Sequence, residues 1–270
     1  MPLEYQSILN SFNKVAKNYQ ENAVLQKEVL YRMSERLQLE SFSSVSHVLD
    51  LACGTGWACD YLLPMFNETE VFALDFSEQM LNQVPENPRV HKVHNDMHSL
   101  PFDDRYFDVV FSNMSLHWSN EPDVFKESLR VLKPGGLLLM SCLGETSLFE
   151  LKESCQSVNQ KPRVHGFPAL HSLGDELVKA GFHDVVVNAE VITLTYETLK
   201  ALMQDIKRSG GQNAFDNREK GLMTKQELIK LESAYEEYRD QGRLPASYEV
   251  VYLRAVRPKA EENSLALTIK

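Results

Sequence analysis

The chain has 270 residues, 43% hydrophobic and 24% charged, an ordinary globular balance with apolar material for one α/β domain and an added element. A formal net charge of -10 argues against broad nucleic-acid binding. No apolar run reaches the length of a membrane span, and MPLEYQSILN lacks the basic flank and apolar stretch of a secretory signal, so a cytoplasmic protein without membrane association is expected. Cys53, Cys59, Cys142 and Cys155 form no CxxC pair; they read as packed residues, and no metal site is expected.

Residues 11–40 read as helical, with Leu25, Val29, Leu30, Met33 and Leu37 at three- and four-residue steps. VSHVLDL is a short β-branched strand, followed by a glycine turn and a helix beginning at WACDYLL. EVFALDF is a second strand, after which Ser77 is placed to cap the helix EQMLNQV. RVHKVHND is a third strand, and YFDVVFSN a fourth, apolar enough to lie inside a sheet covered on both faces. EPDVFKESLRVL is a helix that Pro134-Gly135-Gly136 ends before the strand LLLMSCL. A helix and loop over 145–165 interrupt the alternation. HSLGDELVKAGF is a helix ending at Gly181, DVVVNAEVITLTY is strand-like, 197–241 is rich in helix formers, and SYEVVYLRAVRP is a final strand. Alternating elements of these lengths predict an open, mostly parallel sheet with helices on both faces and an added helical cap.

The informative stretch is Asp50-Leu51-Ala52-Cys53-Gly54-Thr55-Gly56, between a strand and a helix. A dinucleotide loop wants a third glycine, but Asp60 stands at that position, and no phosphate-binding lysine follows. Asp50 would repel a pyrophosphate and suits a ligand carrying an ammonium or sulfonium group. Asp75 ends the second strand, where a carboxylate can accept from ribose hydroxyls. Asp96 ends the third strand region; it is the candidate for an adenine amino group, with Met97 or Leu100 packing on the ring. Three aspartates at the ends of three consecutive strands mark the ligand-binding edge of such a sheet.

These motifs resemble the class I methyltransferase family. LDLACGTG is similar to its first motif, LDFS to its ribose-binding motif, NDMHSLPFDDRYFDVVFSN to its adenine-binding segment and fourth strand, and RVLKPGG to the loop before its fifth strand. The resemblance implies a Rossmann-like fold, S-adenosylmethionine as cofactor, S-adenosylhomocysteine as product, and no metal. It implies cofactor contacts at Asp50, Ala52, Cys53, Gly54, Gly56, Asp75, Phe76, Met80, Asp96, Met97 and Asn113. A narrower resemblance, carried by FNKVAKNYQENAVLQKEV, SNMSLHW, ETLKALMQDIKRSGGQN and QGRLPASYEVVYLRAVR, is to the malonyl-acyl-carrier-protein O-methyltransferase family of biotin synthesis.

The implied reaction methylates the free carboxylate of a malonyl thioester, with malonyl-acyl-carrier protein as partner. The implied organisation is an N-terminal helical lid (1–44), a cofactor-binding core (45–144), a cap insertion (145–170), a core continuation (171–196), a helical cap (197–241), a final core strand (242–258) and a flexible tail (259–270). Such a carboxylate is ionised near neutral pH and needs no general base, only a positioning group. Lys207 and Arg208 are the candidate anchor, one pointing into the pocket and the other toward the carrier. Tyr19, in the lid with Phe12, is the candidate to orient the acceptor and exclude water. Asn113 frames the methyl site, Trp118 is a pocket wall or core aromatic, and His117 reads as packing. Modest basic excesses, +2 over 200–220 and +1 over 150–165, permit docking of an acidic carrier. A methyltransferase for a quinone precursor or free acid, and a non-catalytic cofactor-binding protein, remain as alternatives; the oligomeric state stays open.

Overall fold

The computed structural model describes residues 5–158, 166–211 and 224–259. The expected tail beyond 259 and the patch cations Lys161, Arg163, Arg218 and Lys220 lie outside the described residues. Seven strands among the described residues form one sheet: β1 (His47–Leu51), β2 (Glu70–Asp75), β3 (Val90–His94), β4 (Phe107–Ser112), β5 (Leu132–Leu143), β6 (His183–Tyr196) and β7 (Leu244–Val256). Their order is β3-β2-β1-β4-β5-β7-β6. The first five pair in parallel, and β7 inserts antiparallel between β5 and β6. The expected open, mostly parallel sheet is present, with an antiparallel insertion at one side.

The helices are α1 (Tyr5–Val15), α2 (Tyr19–Asn22), α3 (Val24–Gln38), α4 (Cys59–Met65), α5 (Glu78–Leu81), α6 (Glu121–Val131), α7 (Phe149–Ser157), α8 (Leu170–Ala180), α9 (Leu199–Arg208) and α10 (Lys225–Tyr235). Alternation along the strands feeds two apolar layers. Leu137 and Leu139 of β5 join the layer containing residues of α3, α4, α7, α9 and α10. Leu138 and Met140 join the opposite layer, with Val124 and Phe125 of α6 and Leu173 and Leu177 of α8.

Local chemistry sets the element ends. Ser77 Oγ accepts the Met80 amide at 3.1 Å and starts α5, which lasts only four residues. Gly181, in the left-handed region at φ 104°, ends α8. The long N-terminal helix expected over 11–40 is broken by a tighter turn at Ala16–Asn18 and again at Ala23, so α1 and α2 are separate pieces from α3. β5 starts at Leu132, ahead of the Pro-Gly-Gly turn, because Gly135 and Gly136 exchange backbone bonds of 2.8 and 2.9 Å with Arg257. The added helices are tied to β7. Tyr235 of α10 donates its hydroxyl to the Pro245 carbonyl at 2.8 Å, and Glu249 Oε2 accepts from the Thr146 amide and hydroxyl at 2.9 and 2.8 Å.

Phe125 is fully buried between α6 and the sheet. Phe125→Ala is expected to cost about 3–5 kcal/mol of folding free energy. Urea unfolding followed by circular dichroism checks this as a lowered midpoint; an unchanged midpoint would show that this layer does not hold the fold.

Candidate active site

Chain order reverses at β1, which has β2 on one side and β4 on the other, and the carboxyl ends of these strands border a cavity. Asp50 lies in β1 opposite Ala73, two residues before Asp75 on β2. Asp75 is the organiser of the edge. Its Oδ2 accepts the Gly54 amide and its Oδ1 the Ser77 amide, each at 2.8 Å. The turn after β1 and the start of α5 are thus held by one carboxylate.

Asp50 is 2% exposed, and its Oδ2 has no hydrogen-bond partner. Burial, then repulsion from Asp75, pushes its pKa up to about 8. Burial also raises Asp75, to about 6, with the two amides restraining the shift. An unpartnered buried carboxylate is costly, and an approaching cation would relieve it. Gly54 presents open space where a Cβ would stand and borders the cavity. Gly56 serves packing: at φ +80°, its Cβ would come within 2.8 Å of Val84.

Asp96 is held differently. Its Oδ1 accepts from the His98 amide at 2.9 Å and from the His98 ring Nδ1 at 2.5 Å. The Tyr5 hydroxyl also bonds it. Burial opposes ionisation, but these bonds outweigh it and hold the carboxyl at about 2. His98 Nε2 lies 3.0 Å from the Asn120 amide, and the hydrogen bond from Nδ1 to Asp96 raises the imidazole pKa.

The chain's first helices cover this edge. Tyr5 packs edge-on to Phe76 at 5.2 Å, and Phe12 edge-on to Trp118 at 5.6 Å. Ser77 Oγ donates to Asn13 Oδ1 at 2.6 Å, Gln20 reaches Thr55 at 3.3 Å, and Asn113 Nδ2 donates to the Gln26 carbonyl at 2.9 Å. A second cavity adjoins the first, and Phe12, Tyr19, Met114 and Trp118 line both. Its outer walls come from later elements, with Phe167, Asp205, Ile206, Ser209 and Tyr248 among them. Burial, then the charge of Asp75, raises the Tyr19 pKa, so its hydroxyl keeps its proton.

Of the expected cofactor residues, Ala52, Gly54, Asp75, Phe76, Met80, Asp96, Met97 and Asn113 border the first cavity. Asp50 lies buried in β1, and Cys53 and Gly56 turn away to pack near Ala73, Leu81 and Val84. Lys207 and Arg208 do not fall where an anchor was expected. Both are exposed, and neither lines a cavity. The reason is helical phase: α9 buries Leu199 and Leu202 and turns Asp205, Ile206 and Ser209 inward, which leaves 207 and 208 on the other side. Sequence reasoning missed Tyr5, His98 and Asp205. Tyr5 shares a helix face with Ile8 and Phe12 at steps of three and four, and Asp205 shares one with Leu202 and Ser209. Those periodicities were the available signal.

Fold and site together define a class I methyltransferase that uses S-adenosylmethionine. A methyltransferase-domain family model matches residues 48–136. The structure of a protein from Bacillus halodurans C-125 superposes with a TM-score of 0.61 at 19% identity, covering 85% of this chain and 99% of its own, a likeness of fold. The malonyl-[acyl-carrier protein] O-methyltransferase of Methylovorus sp. (strain MP688) is 38% identical over 264 residues, or 94% of this chain and 89% of the relative. The biotin biosynthesis bifunctional protein BioHC of Teredinibacter turnerae is 35% identical over 95% of this chain, which spans 48% of it. The chain belongs to the malonyl-[acyl-carrier protein] O-methyltransferase family. Among the described residues no helix is long and apolar enough to cross a membrane, and no cluster of metal-ligating side chains is found.

The raised pKa of Asp50 has a defined sign. Its folded value of about 8 lies above the ordinary 3.8, so between these values the ligand-free fold binds a proton that the unfolded chain has lost. Stability of the ligand-free protein is expected to fall as pH rises through that window, with the loss complete above pH 8. An ammonium group of S-adenosylhomocysteine brought to Asp50 would favour its ionised form, and affinity should then rise over the same window by up to about tenfold per pH unit. Calorimetric titrations between about pH 6 and 8 check this. Asp50→Asn should flatten the dependence, weaken binding and raise the thermal midpoint of the ligand-free protein at the alkaline end.

Proposed function

We propose that the protein methylates the free carboxylate of a malonyl thioester, with malonyl-acyl-carrier protein as the preferred acceptor, giving the methyl ester used as a primer in biotin synthesis. The observation that carries this reading is the pair of adjoining cavities sharing Phe12, Tyr19, Met114 and Trp118, in a chain of this family. One cavity is bordered by the cofactor edge of the sheet and the other by the added elements, so donor and acceptor meet at one wall.

The orphaned Asp50 Oδ2 supports the cofactor reading, because a methionyl ammonium would supply the cationic partner it lacks. Asp75 would hold the ribose hydroxyls, because each of its oxygens keeps a lone pair beyond the amide it accepts. Asp96 would take the adenine amino group, with Met97 against the ring. When bound, S-adenosylmethionine supplies an electrophilic methyl group. The chain's own task is to hold the acceptor oxygen in line with it and keep water out. Tyr19 orients the acceptor through a hydroxyl that stays protonated, and Asn113 frames the site with its amide fixed between Gln26 and Ser141. Lys207 and Arg208, being exposed, serve the acidic carrier rather than the reacting carboxylate.

Intact-mass detection of one added methyl on malonyl-carrier protein tests the reaction. Failure to methylate it by a preparation that binds S-adenosylhomocysteine would overturn the reading. Tyr19→Phe is expected to lower kcat about tenfold, the worth of one positioning hydrogen bond of about 1.4 kcal/mol, with cofactor affinity retained. Arg208→Ala should raise KM for the carrier substrate about 3- to 10-fold without changing kcat, an effect that added salt diminishes in the parent protein. A loss of kcat in that variant would return Arg208 to the reaction centre.

A further inference from the structure

The cavity proposed to receive an anionic acceptor has no Lys or Arg on its wall among the described residues, but it does have a carboxylate, Asp205 of α9. That carboxylate is fixed from behind. Tyr196, at the end of β6, donates its hydroxyl to Asp205 Oδ2 at 2.6 Å, and the Tyr196 hydroxyl is in turn bonded to that of Tyr248 on β7. No hydrogen-bond partner of Oδ1 is found among the described residues. Phe12, Tyr19, Met114 and Trp118 border both cavities, whereas Asp205 borders the second alone.

A carboxylate about to be methylated must sit at the shared wall, next to the cofactor edge. The remainder of the acceptor then occupies the part of the cavity that Asp205 faces. In a malonyl thioester that remainder is uncharged. In a free diacid it is a second carboxylate, brought toward a fixed like charge that repels it. We infer that Asp205 is a specificity-determining residue, selecting an acceptor with one carboxylate and a neutral thioester end and rejecting free dicarboxylic acids. The inference rests on the functional reading above. It explains an acidic wall in a site for an acid: discrimination comes from a repulsive element aimed at the wrong acceptor.

The test compares methyl transfer to malonate and to malonyl-carrier protein by the whole protein and by Asp205→Asn and Asp205→Ser. The ratio of kcat/KM for malonate to that for malonyl-carrier protein is expected to rise by about tenfold or more in both variants. Loss of structure lowers activity but does not create it on a rejected acceptor, so a faster malonate reaction is specific to the lost charge. An unchanged ratio in variants that still bind S-adenosylhomocysteine overturns the inference. If neither variant binds it, the parent protein decides. It must methylate monomethyl malonate, which carries one carboxylate and a neutral ester end, at least about tenfold faster than malonate, and equal rates overturn the inference. A parent protein that methylates no malonyl thioester fails the functional reading instead, a separate result.

Discussion

Asp50 and Asp75 stand at the ends of neighbouring strands, both out of water, and the site is arranged around that juxtaposition. Two like charges in a desolvated place cannot both be comfortable. Asp75 is compensated by the Gly54 and Ser77 amides, while one oxygen of Asp50 is compensated by nothing in the protein. The turn between them carries Ala52, Gly54 and Gly56 in the left-handed region, a backbone path that brings the Gly54 amide back to Asp75. Unfavourable electrostatics and a left-handed turn are thus concentrated at one edge of the sheet.

Helices α1 and α2 are attached to the same edge by contacts too scattered to come from one motif. Asn13 takes the Ser77 hydroxyl, Gln20 meets Thr55, and Tyr5 bonds Asp96. Asp96 is thus shared between the fold and its proposed ligand. His98, itself fixed by the Asn120 amide, holds Oδ1 from the core side. Tyr5 approaches from α1, so the Asp96 carboxylate is held from two sides. That is preorganisation of the side chain by the fold.

Much of this was legible in the sequence, for a physical reason. Strands buried on both faces leave near-continuous apolar runs, and the turn after β1 requires glycine and an acidic neighbour, so local residue types reported local structure. The aspartates at three strand ends follow from the same logic. What escaped the sequence depends on helical phase and on long-range packing. Charge alone singles out Lys207 and Arg208, but the phase of α9 is set by Leu199 and Leu202 entering the core, and it is Asp205 and Ser209 that turn toward the cavity. Likewise Gly56 and Cys53 sit in the right motif but pack beside Val84 and its neighbours, a contact across some thirty residues that no spacing announces. The insertion of β7 between β5 and β6 is equally non-local.

The chemistry of His117 bears on which acceptor the second cavity suits. His117 is 6% exposed and lines that cavity, which makes it the natural base for a phenol or carbon acid. Its Nδ1, however, accepts the Leu143 amide at 3.3 Å. A neutral ring with Nδ1 so committed carries its proton on Nε2, and that nitrogen has no lone pair with which to take another. In this arrangement the residue donates rather than removes a proton. An acceptor that arrives already ionised loses nothing by this, whereas one that must be deprotonated finds its base in the wrong tautomer. The hydrogen bond to Leu143 thus weighs toward a carboxylate acceptor, and it does so independently of sequence likeness.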